Sequence, residues 1–159
     1  MTNGATVPII YIDANPFIYF IEGEEVVAKH VRPIFALLAE RPGIAATSEL
    51  TLAEVLAKAR TGTRRSYFNL ILWSKTFQLQ PVTRDILIDT ADYRRISRRP
   101  EPDGTQVTVK LPDAIHVVTA ARGRCRMFLS ADEGLMTPVG MTVAKPNEVG
   151  LAELTRVLS

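Results

Sequence analysis

Short β-branched segments alternate along this chain with longer segments of helical spacing, and this alternation restricts the fold more than any other feature. The strand-like segments are residues 8–12, 44–47, 77–82, 126–129 and 139–143. Short buried strands that alternate with helices form parallel sheets covered on both faces. The sequence therefore predicts a three-layer α/β/α fold with a central parallel sheet of about five strands.

The helical segments are residues 17–21, 24–40, 50–58, 64–75, 84–98, 113–121 and 148–158. Ser48 and Thr83 are suited to cap the helices that follow them, and Pro112 suits a first helical turn. Residues 99–106 contain two prolines, a glycine and several polar residues. This composition predicts a surface loop, which could border a substrate groove.

Length and composition indicate one cytoplasmic domain. A chain of 159 residues with 47% hydrophobic residues has the size of a single domain, residues 1–159, with its own core. The start of the chain, MTNGATVPII, lacks the basic region and cleavage site of a secretory signal, and no apolar run is long enough to span a membrane. The single cysteine, Cys125, is expected to be a small buried hydrophobe.

The net charge of +2 does not indicate a partner, because the 19 Lys and Arg residues are nearly balanced by 17 Asp and Glu residues. The positions of the arginines are more informative than the net charge. Solvation of helix ends explains about half of the clustered arginines. The arginines lie in three clusters: Arg60, Arg64 and Arg65; Arg94, Arg95, Arg98 and Arg99; and Arg122, Arg124 and Arg126.

Several acidic residues follow the predicted strands. Asp13 directly follows the first strand, Glu54 lies in the helix after the second, and Asp132 comes just after residues 126–129. Asp113 joins them from near a helix start. In a doubly wound sheet these positions meet at one edge, where carboxylates repel one another unless cations hold them. The acids therefore predict a metal site.

The expected metal is Mg²⁺, with Mn²⁺ as a possible substitute, because hard cations prefer carboxylate oxygens. Zinc is not expected, since Cys125, His30 and His116 do not have the spacing of a zinc site. Two such cations about 3.5–4 Å apart can activate a water and stabilise a leaving oxygen. The predicted reaction is hydrolysis of a phosphodiester.

Four blocks of sequence then suggest a family. They are Tyr-Ile-Asp13-Ala-Asn15, Leu-Ala-Glu54-Val, Leu-Pro-Asp113-Ala-Ile-His-Val-Val-Thr-Ala and Leu-Ser130-Ala-Asp132. In order and spacing they resemble the PIN-domain nucleases over essentially the whole chain. The length and the Leu-Pro-Asp-Ala-Ile-His block are most similar to VapC-type toxins. The resemblance implies a Mg²⁺-dependent ribonuclease that a cognate antitoxin holds inactive.

The resemblance also implies roles for individual residues. It makes four residues metal-binding catalytic acids: Asp13, Glu54, Asp113 and Asp132. Asn15 and Ser130 would be supporting polar groups. The family often has a Thr and a further acid around the last block, so Glu133 could share or replace part of the role of Asp132.

Structural interpretations compete at each of these positions. Asp13 could belong to a simple turn, and Asp113 could serve only to stabilise a helix N-terminus. Ser130 and Glu133 have the spacing of a capping box, which is the favoured interpretation for that pair. His116 is expected to be a half-buried histidine with its hydrogen bonds satisfied, and we leave it out of the catalytic set.

Other functions remain open at this stage. A PIN-type nuclease could process RNA without an antitoxin, or a catalytically inactive PIN domain could bind RNA. A haloacid-dehalogenase-like phosphatase needs a second Asp two residues after the first, and this chain has Asn15 there. The expected partners are an RNA substrate, an antitoxin that docks on the apolar early helices, and a second copy of the chain in a homodimer.

Overall fold

The computed structural model describes residues 6–159. Along the chain the helices and strands are β1 (Ile10–Ile12), α1 (Ala14–Glu22), α2 (Glu25–Ala39), β2 (Ala45–Ser48), α3 (Leu50–Lys58), α4 (Arg64–Phe68), β3 (Phe77–Gln80), α5 (Arg84–Ile96), β4 (Arg99–Pro100), β5 (Gln106–Val107), α6 (Leu111–Arg122), β6 (Met127–Leu129), β7 (Thr142–Ala144) and α7 (Glu148–Leu158). A π-helical turn over Asn69–Trp73 continues α4. The predicted five-stranded parallel sheet is confirmed.

The order of the strands determines where the sheet can bind a ligand. It runs β3-β2-β1-β6-β7, so the chain builds outwards from β1 to β3 and then returns to the other side of β1. Tyr11 of β1 therefore lies between Ala46 of β2 and Phe128 of β6. A crevice forms at the carboxyl ends of two neighbouring strands where the order reverses. In this sheet those strands are β1 and β6.

Alternate strand residues face opposite helical layers, because successive side chains of a strand point to opposite faces. Ile10 and Ile12 belong to a core shared with α1, α2 and α7, where Phe17 contacts Phe35 and Phe77 edge to face. Tyr11 and Phe128 belong to the opposite core, shared with α6. The sheet is thus covered on both faces, as the sequence predicts.

Residues 99–106 differ from the expected loop, because they belong to a β-hairpin. Arg99 pairs with Val107 and Pro100 with Gln106. The turn closes because Gly104 has a φ of +87°, which glycine adopts without strain. The Glu101 amide also donates to the Thr105 carbonyl at 2.7 Å. These local bonds order a segment whose composition alone indicates a loop.

Two further expectations concern the chain as a whole. Within residues 6–159, no helix has both the length and the apolar character needed to cross a membrane. Residues 1–5, on which the expectation about a secretory signal partly depends, lie outside the described residues. Cys125 is buried and unbonded to another cysteine, as expected.

Candidate active site

A cavity of about 400 Å³ lies at the carboxyl edge of the sheet, beside the ends of β1 and β6. The structure brings all four of the predicted acids to its walls: Asp13, Glu54, Asp113 and Asp132. Asn15, Tyr19, Lys58 and Lys110 line the same cavity. We call it the acid cavity. Its position at the reversal of strand order is the one that doubly wound sheets use for ligands.

Asp13 is held by contacts from three directions. Its backbone amide donates to the Leu129 carbonyl at 3.0 Å, which extends the pairing of β1 with β6. Its Oδ1 accepts from the Ala14 amide at 2.8 Å, so Asp13 caps α1. Its Oδ2 accepts from the Ser130 hydroxyl at 2.8 Å. The positive N-terminal end of α1 and these donors hold the Asp13 carboxylate in one orientation.

Ser130 organises the segment that follows β6. It is fully buried, donates to Asp13 and accepts from the Asp132 amide at 3.0 Å. Residues 131–140 form no helix, so the prediction of a capping box at Ser130 and Glu133 is wrong. The reason is that the Ser130 oxygen bonds the amide two residues ahead, as in a turn. Glu133 is exposed and does not line the acid cavity.

Glu54 reaches the cavity from α3, as the fifth residue of that helix. This places it about one turn into the helix, which agrees with its predicted position in the helix after the second strand. The helix begins at Leu50 and its N-cap is Glu49, which makes no side-chain capping bond, so the prediction that Ser48 is the N-cap is wrong by one residue. Ser48 ends β2, and its Oγ accepts from the Leu50 amide at 3.0 Å. The side chain of Glu54 is about one quarter exposed, so one face of the carboxylate remains open to the cavity.

His116 connects Glu54 to the interior of the protein. It is completely buried and hydrogen-bonds Glu54 Oε1 through Nε2, while Nδ1 lies 2.6 Å from the Tyr11 hydroxyl. These contacts are all satisfied when Tyr11 donates to Nδ1 and Nε2–H donates to Glu54. The sequence predicted a half-buried histidine, whereas His116 is fully buried and connected to Glu54. Its position one helical turn from Asp113 was the one signal of this connection.

The acids in the cavity influence one another electrostatically. The pKa of Asp113 is raised, first by burial and then by the nearby carboxylates of Asp13 and Asp132. The pKa of Tyr11 is raised well above its usual value, mainly by burial and also by the charge of Asp13. Like charges in a confined space disfavour ionisation. A cation in the cavity would relieve this repulsion.

The donor set fits a hard divalent cation. Within residues 6–159, no three Asp, Glu, His or Cys side chains are arranged as a ready-made ligand set for one ion. Mg²⁺ does not require such a set, because it commonly keeps several waters and binds through one or two carboxylates together with substrate phosphate oxygens. Mutually repelling carboxylates around a polar cavity provide that kind of site.

The chain belongs to the PIN domain family, a class of nucleases, since that family matches residues 10–137. This confirms the resemblance seen in the sequence. No match to the chain is found among curated proteins.

Solved structures of toxin–antitoxin systems have a similar fold. VapBC2 from Rickettsia felis, bound to a promoter DNA fragment, matches with a TM-score of 0.61 and 13% identity over 86% of this chain and 97% of that one. A toxin–antitoxin complex from Klebsiella pneumoniae matches with a TM-score of 0.61 and 21% identity over 88% and 99%. VapC20 from Mycobacterium tuberculosis, a toxin that cleaves the sarcin–ricin loop, matches with a TM-score of 0.58 and 12% identity over 79% and 91%.

Proposed function

We propose that this protein is a metal-dependent endoribonuclease and the toxin of a type II toxin–antitoxin pair. The observation on which the proposal rests is the acid cavity, where four carboxylates meet at the reversal of strand order. Family membership supports nuclease chemistry. The similar toxin that cleaves the sarcin–ricin loop supports RNA as the substrate class.

In this proposal Mg²⁺ is held by four acids, Asp13, Glu54, Asp113 and Asp132. Mn²⁺ can substitute for it. When bound at these acids, the cation would supply the activation of a water and the stabilisation of the leaving oxygen. Ser130 fixes one oxygen of Asp13, and His116 fixes one oxygen of Glu54. Lys58 and Lys110 at the cavity wall attract the substrate phosphates. Asn15 lines the same cavity and offers an amide that can hydrogen-bond the bound phosphodiester.

Cleavage of a mixed pool of structured and single-stranded RNA tests the nuclease activity. The purified protein is assayed with Mg²⁺, with Mn²⁺ and with EDTA, beside the variant Asp13→Asn. Asparagine still caps a helix but removes the ligand charge, so we expect a folded variant with cleavage reduced about 100-fold or more. Equal cleavage by the wild type and the variant, or cleavage that persists in EDTA, would contradict the proposal.

The antitoxin part of the proposal rests on similarity to toxin–antitoxin structures and on one surface. A cavity of about 410 Å³ opens between α1, α2 and the π-helical turn, with Phe20, Phe35, Leu70 and Phe77 in its wall. An amphipathic helix binds such an apolar groove through its own apolar face. We propose this groove as the docking site of the antitoxin.

A co-expression experiment tests this partner. The protein should arrest growth when expressed alone, and the product of the open reading frame directly upstream should relieve the arrest. Ala36 is exposed in the wall of the groove, so Ala36→Glu should abolish relief while RNA cleavage is retained. Ala152→Glu, at an exposed position of α7, is the matched control and should leave relief unchanged. Growth arrest without any neighbouring gene that relieves it would favour a nuclease without an antitoxin.

A further inference from the structure

Two more cavities extend from the acid cavity over the end of α5 and the β4–β5 hairpin. The first, of about 330 Å³, shares Lys110, Asp113 and Asp132 with the acid cavity. The second, of about 440 Å³, shares Thr108 with the first. The three cavities are therefore neighbours in a row that leads from the acids to the arginines, and we call this row the path. We call the first the hairpin cavity and the second the arginine cavity.

The hairpin cavity has walls of mixed chemistry. Val107, Val109 and Leu135 provide apolar surface, and Ser97 and Arg99 provide polar groups. A nucleobase has apolar faces and polar edges, so such walls complement it. The volume lies at the lower end of the usual range for small-ligand sites, which suits one nucleotide and not a longer segment.

The walls of the hairpin cavity are held together by contacts between distant parts of the chain. The Tyr93 hydroxyl donates to the Met136 carbonyl at 2.5 Å, which ties the segment after Asp132 to α5. Arg99 Nη2 lies 3.5 Å from the Gly134 carbonyl and joins the hairpin to the same segment. Arg94 Nε donates to the Val109 carbonyl at 2.9 Å. A cavity held in this way is formed before its ligand binds.

The arginine cavity concentrates positive charge at the far end of the path. Arg94, Arg95 and Arg98 line it, with Asp92 as the acidic residue, which pairs with Arg95 at 2.9 Å. Arg98 is exposed and follows the last residue of α5, Ile96, so it lies beyond the helix. Solvation of a helix end does not explain why these side chains line one cavity, which borders the hairpin cavity at Thr108. Guanidinium groups bind phosphate oxygens through paired hydrogen bonds.

We propose that the hairpin cavity and the arginine cavity bind single-stranded RNA on one side of the scissile phosphate. The base of the adjacent nucleotide enters the hairpin cavity, and the phosphates beyond it contact the arginine cavity. The strand must be single, because a base can enter a pocket only when it is not paired and stacked in a helix. This inference rests on the proposed ribonuclease function and assigns its substrate path.

Binding measurements test the path without depending on cleavage. The Asp13→Asn variant is titrated into fluorescein-labelled eight-nucleotide single-stranded RNA, and the Kd is measured by fluorescence anisotropy at several salt concentrations. The double variant Asp13→Asn, Arg98→Ala should bind this RNA about fivefold more weakly than Asp13→Asn alone. Its slope of log Kd against log salt should be smaller by about 0.7. The control is Arg126→Ala, an exposed arginine at the start of β6 and hence at the opposite edge of the sheet.

A second pair of variants tests the hairpin cavity itself. Val107→Glu places a carboxylate where the RNA would lie, whereas Val107→Gln has nearly the same shape without the charge. Val107 is 45% exposed, so neither change should unfold the protein. We expect Val107→Glu to weaken RNA binding about tenfold and Val107→Gln to weaken it much less.

The outcomes separate this inference from the proposed function. Equal Kd values and equal salt slopes for Arg98→Ala and Arg126→Ala would overturn the path, and so would binding of a blunt RNA duplex as tight as binding of the single strand. Hydrolysis of bis(p-nitrophenyl) phosphate, an ester too small to reach the arginine cavity, reports on the acid cavity alone and should be lost in Asp13→Asn. If the wild type cleaves no RNA but Arg98→Ala still weakens RNA binding, the proposed nuclease function is overturned and the proposed RNA-binding path remains supported.

Discussion

Asp113 lies in surroundings that are unfavourable for its own charge. Burial raises its pKa, and the carboxylates of Asp13 and Asp132 raise it further. A carboxyl whose pKa is raised on folding stabilises the fold below its unfolded pKa and loses that contribution as the pH rises through the folded pKa. Without metal, Asp113 therefore destabilises the protein at neutral pH.

Asp113→Asn should consequently stabilise the metal-free protein while it abolishes cleavage. We expect the free energy of unfolding in EDTA at pH 8 to rise by up to about 1 kcal/mol, because solvent screens part of the repulsion at this half-buried group. Urea denaturation at pH 5 and pH 8 measures this, and the gain should be larger at pH 8. A variant that is less stable than the wild type at both pH values would contradict the electrostatic interpretation.

His116 lies outside the catalytic set, but its contacts predict an effect on metal binding. It touches Glu54 and Tyr11 from within the core, so it acts by positioning the Glu54 carboxylate. Residues that orient metal ligands typically contribute 10–100-fold to metal affinity or activity. His116→Leu should raise the Mg²⁺ concentration for half-maximal cleavage by about that factor.

A conservative variant distinguishes positioning from general stability. In His116→Gln the side-chain amide can still donate to Glu54, so the Mg²⁺ requirement should recover towards that of the wild type. Both variants lose packing in the core and should show similarly reduced melting temperatures. A Mg²⁺ requirement that follows the melting temperature, without recovery in His116→Gln, would mean that His116 is only structural.

At the scale of elements, the junction between β7 and α7 depends on a glycine. Gly150 is buried in the first turn of α7, and its amide donates to the capping Asn147 at 3.0 Å. A Cβ built at Gly150 would lie 1.7 Å from the Lys145 carbonyl oxygen. The backbone of the preceding turn therefore permits only glycine at this position unless α7 moves.

Gly150→Ala should destabilise the protein in spite of the better helix propensity of alanine. Propensity favours alanine by about 1 kcal/mol, whereas overpacking against a backbone atom costs about 1–3 kcal/mol or more. We expect a net loss of about 1–2 kcal/mol in the free energy of unfolding, measured by urea denaturation. Val149→Ala, at an exposed neighbouring position, is the control and should change stability by less than about 0.5 kcal/mol.

The sequence predicts those elements whose formation depends on local pattern. All five predicted strands are present and most helix bounds agree with the structure, because β-branched runs and apolar spacing directly reflect burial. The bounds of the last strand differ, since β7 begins at Thr142 and not at the predicted residue 139. The π-helical turn over Asn69–Trp73 and the β4–β5 hairpin are not predicted. Their geometry depends on particular hydrogen bonds, and composition does not encode those bonds.

The site is predictable to a similar extent and for a related reason. Strand ends meet at one edge of a parallel sheet, so the gathering of Asp13 and Asp132 follows from topology. The bond from Ser130 to Asp13 and the bond from His116 to Glu54 do not follow, because each joins residues more than sixty positions apart through side-chain orientation. Glu133 was included through the family resemblance, and in the structure it is exposed and does not line the acid cavity.

At the scale of the whole molecule, the reactivity of Cys125 measures how often the core between the sheet and α6 opens. It is buried with Tyr11 and Phe128 on the face of the sheet that α6 covers. Burial raises the pKa of its thiol to about 11, so almost none of it is thiolate at pH 8. Modification by a thiol reagent therefore requires an opening of the fold.

The rate of that modification should also respond to the acid cavity, although the thiol is not part of it. A ligand that binds only the folded state stabilises it by RT ln(1 + [L]/Kd), so Mg²⁺ at ten times its Kd should slow a reaction through global unfolding about tenfold. Labelling of Cys125 by 5,5′-dithiobis(2-nitrobenzoate) at pH 8 should thus be slow, slower with Mg²⁺, and insensitive to Mg²⁺ in Asp113→Asn. Rapid labelling of the folded wild type would show that α6 does not cover the sheet in solution. Equal protection by Mg²⁺ in the wild type and in Asp113→Asn would place the cation away from Asp113.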